Sequence, residues 1–304
     1  MMNSERPPTI DPNAARRWRR LPQKESPWLH EEVARRMQER LDWIKRQPAS
    51  WLHWEPERGG MQAQALLQRR YPGAQCFVMH ATEGPAQVAV RRIVKPWWHP
   101  ARWAGAARRT HALPKGGVEM LWANMALHMA ADPQTLIARW HAALAVDGFL
   151  MFSCLGPDTV RELRRLYRAL GWPAPAHEFT DMHDWGDMLV QAGFAEPVMD
   201  MERIELTYQT PQRLLQELRE LGRNLHPARF PGLRGRAWRE RLHQALTREL
   251  ADRSQDGRLK LTFEIVYGHA FKPPSRMTVA ALTAVPLEAM REALRAPARQ
   301  RPRL

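Results

Sequence analysis

The stretch Val118-Glu119-Met120-Leu121-Trp122-Ala123-Asn124-Met125-Ala126-Leu127-His128, continued through Asp132-Pro133 to Phe149-Leu150-Met151-Phe152, decides how this 304-residue chain folds. Its two apolar runs, Val118–Trp122 and Phe149–Phe152, have the length and composition of buried strands. Between them the pattern from Pro133 to Leu144 is helical. Asp132 offers an N-cap side chain, and Pro133 takes the first helical position, where a missing N–H costs nothing. Asp147-Gly148 supplies the turn into the second strand. Strand, covering helix and strand predict a parallel sheet with both faces covered.

Working outward, Trp51–Trp54 and Cys76–His80 read as strands on either side of a helix over Gln62–Arg70. A polar stretch to about Ser26 leads into a helical pattern through Trp28, Leu29, Val33, Met37, Leu41 and Ile44. Downstream, a Gly156-Pro157 break precedes helices over Asp158–Leu170 and Asp181–Gly193. Pro197–Met201 and Ile204–Tyr208 are strand candidates. Thr210-Pro211 opens a helix that Gly222 closes, and Ala237–Leu250 is a longer one. The alternating run Leu259, Leu261, Phe263, Ile265, Tyr267 is the sharpest strand signal in the chain. The carboxyl half thus adds an antiparallel edge to a parallel sheet. There is no internal repeat.

Composition narrows the function classes. The formal charge is +14, and 40 of the 46 basic residues are Arg. Seven positive charges (Arg91, Arg92, Lys95, Arg102, Arg108, Arg109, Lys115) fall between Gly84 and Val118, where no acidic residue stands and Trp97, Trp98 and Trp103 are interleaved. Such a stretch suits an acidic protein, an anionic surface or nucleic acid equally. The tail from 276 to 304 is also basic, with Arg291, Arg295, Arg299, Arg301 and Arg303. Cys76 and Cys154 sit in apolar runs with no Cys-x-x-Cys grouping, which reads as two buried thiols in a cytoplasmic protein. No run is long enough for a membrane span, and the N-terminus has no secretory pattern.

The Val118–His128 string, Asp132-Pro133 and Phe149-Leu150-Met151-Phe152-Ser153-Cys154-Leu155-Gly156-Pro157-Asp158-Thr159 resemble class I S-adenosylmethionine-dependent methyltransferases. Within them they resemble the malonyl-acyl-carrier-protein O-methyltransferases of biotin synthesis, the BioC family. Phe179-Thr180-Asp181-Met182-His183-Asp184, Ala192-Gly193-Phe194 through Glu202, Leu206-Thr207-Tyr208 and Glu264-Ile265-Val266-Tyr267-Gly268-His269-Ala270-Phe271-Lys272-Pro273 continue the likeness. The resemblance implies a three-layer, Rossmann-like α/β sandwich with a mostly parallel sheet, an antiparallel edge and inserted helices. It divides the chain into an N-terminal helical cover (1–48), a methyltransferase-like domain (49–275) and the basic tail (276–304). Within that domain, 84–117 is a basic Trp-rich insertion, and 156–196 and 210–257 are helical additions on the substrate side. It implies S-adenosylmethionine as cofactor, no metal, and acyl carrier protein or another acidic protein as partner; nucleic acid is disfavoured. It places Trp54, Gly59, Gly60 and Asn124 at the cofactor and His177, Tyr208, Tyr267 and His269 at the substrate, and it assigns no catalytic residue. His177, Asp181, His183 and Asp184 read as a helix start rather than a metal site. Glu119 stands in the fourth strand where the family has Asp, and a carboxylate buried there needs a partner.

The amino-terminal half departs from the family. Where those enzymes read Val-Leu-Asp-x-Gly-Cys-Gly-x-Gly, this chain has Trp51-Leu52-His53-Trp54-Glu55-Pro56-Glu57-Arg58-Gly59, and only the last glycine remains. Glu55 and Glu57 put carboxylates where the cofactor's own carboxylate belongs. No Asp or Glu stands near His80, where the family binds the ribose, or in Arg109-Thr110-His111, where it meets the adenine. Two readings follow: methyl transfer to the free carboxylate of malonyl-acyl carrier protein, or a methyltransferase-fold protein that has lost the cofactor and serves as a binding partner.

Overall fold

A computed structural model of the chain describes residues 10–21, 23, 25–79, 108–109, 114–252, 254 and 256–274. In chain order the elements are α1 (Pro12–Arg20), α2 (Trp28–Arg40), β1 (Ser50–Trp54), α3 (Pro56–Gly59), α4 (Gln62–Arg70), β2 (Gln75–Met79), β3 (Arg108–Arg109) and β4 (Val118–Ala123). There follow α5 (Pro133–Ala143), β5 (Leu144–Leu155), α6 (Arg161–Ala169), α7 (Met182–Gln191), β6 (Ala195–Tyr208), α8 (Pro211–Leu221), α9 (Arg236–Leu250), β7 (Ala251–Asp252) and β8 (Arg258–Phe271).

The strands form one sheet in the order β3-β2-β1-β4-β5-β8-β6, with β7 also on β8. From β3 to β5 the pairings are parallel, with Trp51 opposite both Cys76 and Met120. β8 then runs antiparallel to β5, with His269 opposite Met151, and β6 runs antiparallel to β8. Alternation along each strand sends neighbours to opposite layers. Trp51, Met120 and Met151 pack with Val33, Met37, Leu67, Leu163 and Leu246 from α2, α4, α6 and α9. Leu52, Leu121, Leu150 and Phe152 pack on the other face with Ile137, Trp140, Trp185 and Leu189 from α5 and α7. The three-layer α/β reading holds. Among the described residues no helix is long and apolar enough to cross a membrane.

Three details differ from expectation. Residues 11–20 are helical: Asp11 caps α1 by accepting from Asn13 N (2.8 Å) and Ala14 N (3.2 Å), with Pro12 at its first position. This is the Asp-Pro signature that marks α5, placed ahead of an arginine-rich turn whose polarity hides it. The two late strand candidates are a single strand, β6, because its whole length pairs with β8 and a register shift between Ala195 and Val198 absorbs Pro197. Glu119 is exposed at the entry of β4 and accepts from Ala49 N (2.7 Å), so it carries no burial cost. Asp181 caps α7, accepting from His183 N at 2.8 Å. Most of the basic stretch 84–117, and the whole tail 276–304, lie outside the described residues.

Candidate functional site

In an open α/β sheet ligands bind beyond the carboxyl ends of the strands, here at Trp54, Ala123 and Leu155. The chain leaves β1 through Glu55, whose φ of 47° lies in the left-handed region that favours glycine. Glu55, which stands at the first glycine position of the family motif, therefore takes a glycine-like backbone conformation while carrying a side chain. It is followed by the helical turn α3, in place of an open glycine loop. Gly59 is required by packing: a Cβ there would lie 2.5 Å from the Asn124 carbonyl oxygen. The Asn124 side-chain amide donates to the carbonyl of Gly59 and to that of His30 (2.8 Å), and its oxygen accepts from Ser153 Oγ (2.5 Å). Ser153 in turn accepts from Met125 N at 3.1 Å. Asn124, Ser153, Gly59 and His30 are all buried, so this knot ties β4 and β5 to the loop after β1 and to α2.

The N-terminal segment closes over this knot. Arg58 Nη2 donates to the carbonyls of Trp18 (3.1 Å), Arg19 (3.1 Å) and Leu21 (3.0 Å), which ends α1 on a cation where the helix dipole favours one. Its guanidinium lies 3.9 Å from the Trp18 ring centroid, and burial lowers its pKa. Arg19 pairs with Glu55. The N-terminus of α4, which a cofactor carboxylate would use in the resembling enzymes, is taken by the chain's own Glu31. One oxygen accepts from Met61 N (2.8 Å) and the other from Gln62 N (3.1 Å), while Ser26 Oγ also accepts from Met61 N (3.0 Å). What remains between Trp18, Arg19, Trp54, Glu55, Gly59 and Asn124 is a cavity of about 20 Å³, room for about one water.

The expected cofactor residues Trp54, Gly59 and Asn124 do meet around this cavity, with Gly60 (φ 118°) turning the chain into α4. The four expected substrate residues do not meet at one site. His177 is buried beside His128: its Nε2 donates to the His128 carbonyl (3.0 Å), and the Leu155 amide donates to His128 Nδ1 (3.3 Å). Tyr208 is buried opposite Leu259, and burial raises its pKa. Tyr267 donates to Glu202 (2.6 Å) under the Arg40 guanidinium, and with His269 it lines a separate depression of about 320 Å³ that shares no lining residue with the first. Sequence reading missed His30, Arg19, Arg58 and Ser153. His30 donates through Nδ1 to the Arg58 carbonyl (2.6 Å), and burial pulls its pKa to about 4, as it does that of His177. Among the described residues no group of three or more His, Cys, Asp or Glu is placed to hold a metal.

The sheet order and the carboxyl-end cleft define a class I methyltransferase-type α/β protein. The YcgJ protein of Bacillus subtilis (TM-score 0.51, 13% identity, 80% of this chain and 99% of that one) and a putative methyltransferase of Bacillus halodurans (0.52, 12%, 78% and 99%) have the same fold. No family model matches the sequence. The malonyl-[acyl-carrier protein] O-methyltransferase of Gallionella capsiferriformans is 39% identical over 82% of this chain and 86% of its own length. That of Laribacter hongkongensis is 37% identical over 82% and 84%. The chain belongs to the malonyl-[acyl-carrier protein] O-methyltransferase family. Among the described residues, the space beside Asn124 and the N-terminus of α4 are taken by the chain's own Trp18, Arg19 and Glu31, which as placed leave no room there for S-adenosylmethionine; His80 and Thr110-His111, where the ribose and adenine contacts are expected, lie outside the described residues.

Proposed function

We propose that the chain carries its family's reaction, S-adenosylmethionine-dependent methyl esterification of the free carboxylate of a malonyl group on acyl carrier protein, within biotin synthesis. The observation that carries this reading is the identity of 37–39% with two such methyltransferases over 82% of the chain, a span that extends well beyond the altered loop. The charge supports it: Arg16, Arg17 and Arg20 are exposed on α1, the helix whose Trp18 and Arg19 line the cavity, and suit an acidic carrier. A second reading, a cofactor-free binding partner, is favoured by one observation, the filled cofactor position. The test is incubation of the purified full-length protein with malonyl-loaded carrier and S-adenosylmethionine, read by intact mass of the carrier. One added methyl per carrier is the expected result. An unmodified carrier with protein at equal concentration, together with carrier binding that persists without cofactor, would move the assignment to the second reading.

A further inference from the structure

The family's cofactor position has an occupant, and that occupant is the chain. Three features hold α1 there. Arg58 binds three carbonyls at the end of α1. Arg19 pairs with Glu55 in the loop itself. At the other end, Asp11 pairs with Arg229 (2.8 Å) and its amide donates to Leu225 O (2.9 Å). Yet the apolar seat of α1 is small. Among the described residues, Ile10, Ala14, Ala15 and the half-buried Trp18 cluster with Met129 and Leu225, apart from both faces of the sheet. A helix of nine residues is marginal by itself, so α1 stays in place through polar tethers rather than through the main core. Elements with few buried apolar contacts open at low cost.

Resting on the methyltransferase reading above, we propose that α1 is an internal latch. Its Trp18 and Arg19 lie against Trp54, Gly59 and Asn124, the residues that the resemblance assigns to the cofactor; helix and ligand exclude one another, so the protein as folded is closed and takes the ligand only from a minor population in which α1 has left. The apparent affinity then falls in proportion to that population, and linkage makes the effect reciprocal: ligand that does bind must free α1.

The experiment uses full-length protein and S-adenosylhomocysteine as probe, read by calorimetric titration and by hydrogen exchange of residues 12–20. For the unmodified protein, α1 amides are expected to be protected without the probe, binding to be in the millimolar range, and exchange of α1 to rise as the probe saturates. Asp11→Ala removes the cap and the Arg229 pair without touching the cleft. It should loosen α1 and tighten probe binding about fivefold or more. Where circular dichroism shows that this variant is not folded, Arg229→Ala removes the ion pair alone and is read the same way. Micromolar binding with α1 exchange unchanged would overturn the latch, as would a folded variant with loosened α1 and unaltered affinity. Neither readout needs methyl transfer. Coupled exchange and binding in a protein that forms no ester keeps the latch and removes the enzyme; ester formation with α1 protected throughout does the reverse.

Discussion

Replacing Glu55 separates two forces that meet at one residue. Its φ of 47° is left-handed, a conformation that costs an L-residue roughly 1–2 kcal/mol and glycine almost nothing. Its carboxylate pairs with Arg19, whose side chain is 38% exposed, so solvent screening holds that pair to about 1 kcal/mol or less. Glu55→Gly relieves the backbone and loses the pair. The expected net change lies between no effect and about 1.5 kcal/mol of stabilisation. Glu55→Ala loses the same pair and keeps the left-handed backbone, for an expected cost of about 0.5–1 kcal/mol. The gap between the two variants, about 1–2 kcal/mol in favour of Gly, isolates the backbone term because neither side chain contacts Arg19. Urea unfolding of both variants at neutral pH, with the slope checked for constancy, measures it. An Ala variant as stable as the Gly variant would mean that the loop relaxes out of the left-handed region, and the argument that Glu55 preserves a glycine's backbone shape would fall.

Other consequences follow from the same cluster. His30 and His177 are pulled by burial to about 4, while the unfolded chain titrates near 6.5. The unfolded state therefore binds more protons below neutrality, so stability is constant above pH 6.5 and falls as the pH drops toward 4, by roughly 3 kcal/mol for each histidine; urea midpoints that stay flat from pH 7 to 4.5 would contradict this. Asn124→Ala strands two buried carbonyls and the Ser153 hydroxyl and should cost about 2–4 kcal/mol, against under 1 kcal/mol if the knot is replaced by water. Gly59→Ala drives a Cβ to 2.5 Å from a main-chain oxygen and should cost more than about 2 kcal/mol, while Gly73→Ala, with nothing within 4 Å, should be near neutral. If α1 steers the carrier, glutamates at Arg16, Arg17 and Arg20 should slow carrier association and flatten its salt dependence, measured by stopped-flow over a range of ionic strength; an unchanged slope places the docking surface elsewhere.

How much of this was legible in the sequence depends on how local the cause is. The sheet was, because each of Val118–Ala123, Phe149–Phe152 and Leu259–Tyr267 states its burial in its own composition, and Asp132-Pro133 marks a helix start without help from the rest of the fold. The loss of the glycine motif was equally plain. What filled the space was not: Arg58 is one arginine among 40, and only the fold brings the carbonyls of residues 18–21 to it across some 40 positions. Glu31 is a first-turn acid of α2, yet it caps a different helix 30 residues on. The substrate candidates Tyr208, Tyr267 and His269 lie on late strands whose alternation says which face a side chain takes but not which end of the sheet it serves. The physical reason the altered loop still folds is then visible. A loop built to receive an anion leaves main-chain N–H groups and a helix N-terminus unsatisfied when empty, and this chain satisfies them with its own groups. Glu31 supplies the carboxylate, Ser26 an oxygen, and Arg58 neutralises the acidic turn while capping α1. Substituting the glycines alone would leave those donors stranded, and closing the cleft without Glu31 would do the same. Residues 26, 31, 55 and 58 therefore act as one unit, and restoring the glycines singly should not reopen the site while Glu31 and α1 stay in place.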